Sequence, residues 1–402
     1  MVKLPFLKSK DISNKFLTID IGSNSVKVLA FDLNDQDSPP KASIIGKAQE
    51  DLLQDSTRGG VIVDLDDVEQ ALSTAIKEAS KENDISNVIF GVGGSLAMGI
   101  MVTVKVVRGK TSPISSNELD EVFDRIFEEA YNKIDNIFLE VTGDSETEMS
   151  LITSSVVYKK LDGDKVDDLE GKQGKEIEIA TFVSFAPDYH LKALKKLSKR
   201  LKLNTLAISS DLYALAQSFS FSMEEDYDAV LVNVGGEVTD VAVVFRGGIA
   251  ATRSLDIGGA HFTKRLSKEL DISFENAEHK KMEYSYGRVN KDEEFIIKGY
   301  IDSLLDTWVD GVELLFHQFT GVKTFPHNVY LTGGGAALPD IYEVISKEPW
   351  TKSIPFKSPP DFSKITIEQL PLVEDRMGEA HSIEDIVPAS LSIVYLEVRG
   401  LI

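Results

Sequence analysis

One pattern occurs twice in this chain. Residues 16–33, FLTIDIGSNSVKVLAFDL, read as an apolar strand that runs into Asp20-Ile21-Gly22-Ser23 and leaves as a second apolar strand. Residues 229–247, AVLVNVGGEVTDVAVVFRG, do the same through Asn233-Val234-Gly235-Gly236. Setting Asp20 on Asn233 places Gly22 on Gly235 and Val28 on Val241. A single D-x-G-S is also an ordinary hairpin turn. A second copy implies two related halves that face one ligand, a stronger constraint than any lone motif. In such a turn the glycine admits an anion close to the backbone, and successive N–H groups point at one spot. Ser23 and Ser25 add hydroxyl donors, and Asp20 adds a carboxylate suited to a hydrated cation beside that anion. A third glycine cluster, Thr332-Gly333-Gly334-Gly335-Ala336, follows a short strand and precedes a helix expected from Pro339. Glycines there would let a flat group such as a purine lie on the backbone.

Composition removes several classes of chemistry. At 402 residues and 42% hydrophobic content, two or three domains with buried cores are expected. The net charge of −22 opposes non-specific attraction to nucleic acid and to anionic lipid, so no nucleic-acid partner is expected. The chain has no cysteine, which excludes thiol nucleophiles and disulfides, and its 6 histidines lack metal-ligand spacing. No apolar run approaches the roughly 18–20 residues of a membrane span, and the start lacks a signal-peptide core, so a cytoplasmic protein is expected. Val2, Leu4, Phe6 and Leu7 beside Lys3, Lys8 and Lys10 read either as a membrane or partner contact or as a frayed end.

Along the chain, a strand at 41–48 precedes a helix expected from an Asp66 N-cap to Lys81, with Val68, Leu72, Ala75 and Ile76 on one face. A strand at 88–92 ends in Gly93-Gly94, and the alternation describes an α/β domain. From about 97 to 186 a different unit intervenes. A strand at 99–107 leads to a capping box, Ser115 with Glu118, and to a helix whose stripe is Leu119, Val122, Phe123, Ile126, Phe127 and Ala130. Strands at 137–141, 149–161 and 176–185 would complete it, with the stripe packing on its own small sheet. A basic amphipathic helix is expected at 188–203, with an acidic partner or plain solvent as alternatives for its charged face. For Asp211, the N-cap of the next helix is one of two compatible readings. Helices are expected from 256 to 270, from 276, over 293–319 and at 387–396.

Two phosphate-type hairpins plus a late TGGG loop resemble the actin-like ATPase superfamily, most closely its FtsA and PilM branches, over nearly the whole chain. The resemblance implies an α/β, actin-like (ribonuclease H-like) duplicated fold: two lobes around a nucleotide cleft, with a small inserted SHS2-like α+β subdomain. The implied layout is a flexible stretch at 1–15, a first lobe from 16–96 and 386–402, and the insert at 97–186. A connecting region at 187–225 and a second lobe at 226–385 complete it. Gly59-Gly60-Val61-Ile62-Val63-Asp64, Gly91-Val92-Gly93-Gly94 and the turns at Asp162-Gly163 and 169–174 are closer to FtsA than to PilM.

The implied ligands are ATP and magnesium. Asp20, Gly22, Ser23, Asn24, Ser25, Gly235, Gly236, Glu237 and Val238 would hold the phosphates, with Lys27 as a point charge. Glu278 and Lys281 match the A-E-x-x-K residues that reach ribose and base, or else form a plain ion pair. Gly333, Gly334 and Gly335 would lie under the base. Asp20 and Asn233 would serve magnesium through water, and Asp211 and Asp240 would orient the attacking water. Asn233 replaces the usual aspartate and Glu237 replaces a glycine, so slow hydrolysis or none is expected. The implied role is an FtsA-like adaptor of cell division that forms a homo-oligomer or filament and meets an FtsZ-like division protein or a membrane-bound partner. Nothing after Tyr395 reads as a membrane helix, so contact with the inner face of the membrane is expected only through a partner or the amino-terminal stretch. A PilM-like adaptor of type IV pilus assembly and a small-molecule kinase of the same superfamily are the alternatives.

Overall fold

A computed structural model describes residues 13–81, 83–109, 111–221, 227–319, 321–347 and 349–402. The amino-terminal contact expected over residues 2–10 lies outside the described residues. The repeat seen in the sequence becomes a repeat of sheet topology. In the first sheet the order is Asn204–Ser210, Asn87–Val92, Lys15–Ile21, Ser25–Asn34, Lys41–Asp51 and Val373–Asp375. In the second it is Asp361–Lys364, Asn328–Thr332, Ala229–Val234, Thr239–Phe245 and Gly248–Leu255, followed by strands of the insert. Strand by strand the first five positions of the two sheets correspond, including the senses of pairing. Asp20 pairs with Lys27 as Asn233 pairs with Asp240. The turns close alike, Gly22 N–H on the Ser25 carbonyl at 3.0 Å and Gly235 N–H on that of Val238 at 2.8 Å.

These strands read as unbroken apolar runs because both sheet faces are covered, as parallel pairing through crossover helices requires. On one face of the first sheet Val68, Leu72 and Ala75 of helix Leu65–Ser80 and Leu191, Leu194 and Leu197 of helix Asp188–Arg200 pack against Leu17, Val28 and Val88. The other face shares a core with the second sheet, in which Leu212 and Phe219 of helix Asp211–Ser220 and Leu391 and Tyr395 near the C-terminus meet Phe16, Phe31, Leu231 and Val244. The second lobe centres on Trp308 and Phe262. No helix among the described residues is long and apolar enough to cross a membrane.

Several expectations need correction. The cap of helix Leu65–Ser80 is Asp64, not Asp66, because the Asp64 carboxylate accepts the N–H groups of Asp66 and Asp67. No strand forms at 137–141: helix Ser116–Thr142 continues through it, since Ile126, Ala130, Ile134 and Phe138 keep a four-residue apolar spacing until Gly143 stops it at φ 72°. Ser115 caps this helix, but the Glu118 carboxylate binds Arg108 at 2.6 Å instead of closing a capping box. The insert's sheet is not separate, because Ile100 of strand Met98–Val107 bridges Ala251 and extends the second sheet to nine strands. Two pieces expected outside the first lobe, Asn204–Ser210 and Val373–Asp375, hydrogen-bond to its edges. The closing segment is two short helices, Ile386–Ser390 and Ser392–Val398, not one.

Helix Leu65–Ser80 lies so close to strand Lys41–Asp51 that a Cβ at Gly46 would stand 1.7 Å from the Ala79 carbonyl oxygen. Gly46→Ala should therefore cost about 1–3 kcal/mol by overpacking. A urea midpoint equal to that of the wild type would contradict this helix–sheet contact.

Candidate functional site

Between the two sheets lies a cavity of about 630 Å³. Its floor and walls come from strand ends and turns, where a chain leaving a buried sheet exposes backbone donors at the carboxyl ends of parallel strands. One turn contributes Gly22, Ser23, Asn24 and Ser25, and the facing turn contributes Gly235, Gly236, Glu237 and Val238. Gly333, Gly334 and Gly335 form a third wall, and Glu278 and Lys281, from helix Phe274–Ser285, form a fourth. Asp20, Lys27, Asp211, Asn233 and Asp240 complete the lining. The structure thus gathers every site residue named from the sequence around one space.

The glycines are where a side chain has no room. Gly333 stands at φ +91°, a conformation L side chains rarely adopt, and a Cβ there would meet the Asn233 side chain and the Val234 carbonyl at 2.4 Å. At Gly91 and Gly93 a Cβ would fall 2.1 and 2.6 Å from the Asp211 carboxylate.

That carboxylate is not the helix cap expected of it. Ser210 caps helix Asp211–Ser220, while Asp211 turns its side chain towards these glycines, with Oδ1 buried and without a hydrogen-bond partner. Burial pushes its carboxyl well above the usual range, and the neighbouring Asp20 and Asp240 push it further. Burial likewise raises Asp20, partly offset by Lys27 at 3.9 Å. Asp240 is raised to about 6 by burial, although its oxygens accept from Ser254 Oγ at 2.6 Å and from the Gly94 N–H at 2.9 Å. Three carboxylates gathered around one cavity, Asp211 and Asp240 of them buried, are costly to folding, a pattern common at functional sites.

Lys281 and Glu278 form an ion pair at 2.8 Å in which the lysine is buried: Lys281 also donates to Thr263 Oγ1 at 2.8 Å and to the Gly259 carbonyl at 3.2 Å. Among the described residues no group of three or more His, Asp or Glu side chains is set to chelate a metal directly. Asp20 and Asn233 occupy equivalent positions in the two strands that enter the cavity.

Other lining residues were not named as site residues from the sequence. Gly59 and Gly60 reach the cavity mouth, as do Lys264 and Glu384. Gly91, Gly93 and Gly94 line it beside Asp211, and the signal for them was available: glycines at the end of a strand that neighbours the first hairpin. His190 lines it too, with an imidazole that burial lowers to about 4 and an Nδ1 atom without a partner. A lone histidine on a basic helix gave no such signal.

Two lobes of matching topology around a glycine-walled cavity define an actin-like fold. The fold is shared with PilM in the "PilM-PilN type IV pilus biogenesis complex", at a TM-score of 0.62 and 16% identity over 96% of this chain and 98% of that one. The ethanolamine utilization protein EutJ of Carboxydothermus hydrogenoformans shares it at 0.50 and 13% identity, over 95% of this chain and 91% of that one. In sequence, the family model "Cell division protein FtsA" matches residues 230–370. The FtsA proteins of Enterococcus faecalis and Streptococcus pneumoniae are each 24% identical over 349 residues, which is 82% of this chain and 75% and 72% of theirs. The chain therefore has an actin-like fold and is similar in sequence to FtsA proteins.

Because the pKa of Asp240 lies above that of a carboxyl in the unfolded chain, the folded protein holds the proton more tightly between about pH 4 and 6 and loses stability as pH rises through that window. Asp240→Asn should flatten this part of the stability profile measured by urea unfolding. An unchanged slope would contradict the burial of a strained carboxylate there.

Proposed function

We propose that this protein is a nucleotide-binding, actin-like adaptor of the FtsA kind that acts in cell division and turns ATP over slowly or not at all. One observation carries the reading: two glycine-bearing turns in the same hydrogen-bond register face each other across one cavity, with a third glycine wall beside them. Turns of this kind present N–H groups to phosphate oxygens. The TGGG wall and the Glu278–Lys281 pair lie around the same space and suit a base and a ribose.

Magnesium fits the residues present only through water. A buried, unpartnered Asp211 oxygen and the Asp20 carboxylate are acceptors for a hydrated cation, while Asn233 offers a neutral oxygen in place of a second charge. A bound magnesium ion would offset phosphate charge. Asp211 and Asp240 would then orient water, and no strong base is needed because phosphoryl transfer rests on positioning and electrostatics. The loss of a carboxylate at Asn233 and the added charge of Glu237 both weigh against turnover.

The cell-division role is supported by the sequence relatives named above; an FtsZ-like protein, a membrane-bound partner or further copies of the chain would be the interacting molecules, and the cytoplasmic face of the membrane the location. A second reading, a PilM-like adaptor in pilus assembly, is favoured by the structural likeness to PilM across nearly the full length of both chains.

Steady-state phosphate release with magnesium and ATP should run at least about tenfold below that of an active actin-like ATPase assayed alongside, a barrier difference of about 1.4 kcal/mol. The double substitution Asn233→Asp with Glu237→Gly should recover about that factor. Release at the active enzyme's rate by the wild type would contradict the assignment of slow turnover. Co-purification of a tagged chain with an FtsZ-like protein supports the division role, and recovery of pilus inner-membrane components instead supports the second reading.

A further inference from the structure

Glu237 does more than crowd the cavity. Upstream, Thr57–Arg58 pairs with Val61–Ile62 as a small ribbon whose two-residue loop is Gly59-Gly60, with φ of +56° and +83°. Both values suit the tight primed turn that only glycine and a few polar residues adopt readily. Thr57 Oγ1 donates to the carbonyls of Gly22 and Ser23 at 3.2 and 2.9 Å, which ties the ribbon to the first hairpin's turn. The Gly59 N–H is thereby held at the cavity mouth on the first lobe.

Glu237, on the turn of the second hairpin, reaches across to it. Its Oε2 accepts the Gly59 N–H at 2.7 Å, and its Oε1 accepts from Lys264 Nζ at 3.0 Å. The Glu237 N–H itself donates to Ser23 Oγ at 3.2 Å, and the tips of the two hairpins nearly touch, since a Cβ at Gly236 would lie 3.1 Å from that of Ser23. A hydroxyl, two backbone N–H groups and an ammonium therefore converge where the hairpins meet. That is a donor set for a phosphoryl group, and the chain's own carboxylate already engages two of its members, the Gly59 N–H and the Lys264 ammonium.

We propose that Glu237 stands in for the terminal phosphate of a nucleotide, so that this site takes a nucleoside diphosphate in preference to a triphosphate. The proposal rests on the nucleotide-binding reading above and adds the identity of the preferred ligand. A diphosphate leaves the Glu237 clasp intact. A third phosphoryl group meets a carboxylate of like charge and must displace it from Gly59 and Lys264 before using the same donors. Because the clasp joins residues of the two lobes, it also closes the cleft over a diphosphate without help from a terminal phosphate.

Isothermal titration of the full chain with magnesium-ADP and with magnesium-ATP tests this, for the wild type, Glu237→Gln and Glu237→Gly, with thermal unfolding as the check that each variant folds. The wild type should bind ADP at least about tenfold more tightly than ATP. Glu237→Gly should erase that ratio, weakening ADP as the clasp opens and strengthening ATP as the like charge goes, and Glu237→Gln, which removes charge but keeps an acceptor, should fall between. Equal affinities in the wild type, or a ratio unmoved by Glu237→Gly, would overturn the preference and leave nucleotide binding standing. Binding of neither nucleotide by the folded wild type would overturn both.

Discussion

Two glycine-bearing backbone turns that line one cavity from opposite sides are the constraint that organises this molecule. Each turn is only the end of a hairpin, and a hairpin alone is marginal in water. What fixes the pair is that each belongs to a sheet of the same strand order, in which Asp20 sits opposite Lys27 and Asn233 opposite Asp240. A one-residue slip in either register would send the floor side chains into the core. The apolar runs of the strands, buried on both faces, make such a slip costly.

The lobes are joined by the core that Phe16, Phe31 and Tyr395 share with Leu231 and Val244, filled by helix Asp211–Ser220 and the closing helices. Tyr213 in the first of these donates to Glu397 in the last at 2.7 Å. The helix that supplies the buried Asp211 carboxylate is therefore also the one that holds the lobes in register. This coupling explains how an unpaired acid can be kept beside Gly91 and Gly93: the surrounding packing over-determines its place, and the cost of burying it is borne by the core around it.

The duplicated hairpins, the late glycine loop and the helical stripe of the insert were legible in the sequence because each is a local pattern of period or turn chemistry. What was not legible depends on tertiary context. The run at 137–141 has the short apolar look of a strand, and only the buried Ile134 and Phe138 in phase with Ile126 decide for a helix. Three residues, Val373–Asp375, are too few to signal a strand, yet they pair with Lys41–Asp51. A serine just before Asp211 was the better cap, leaving the aspartate free for the cavity. The partners of Glu237 are 27 and 178 residues away in sequence, and no local rule connects them.

The central claim is that the turns at 22–25 and 235–238 clasp the phosphates of one nucleotide between the lobes. Amide hydrogen exchange of the full chain, with and without saturating magnesium-ADP, tests it most directly. Slowed exchange should concentrate in both turns at once and in residues 333–335, with the outer face of the insert unchanged. Protection confined to one turn, or appearing away from the cavity, would contradict it.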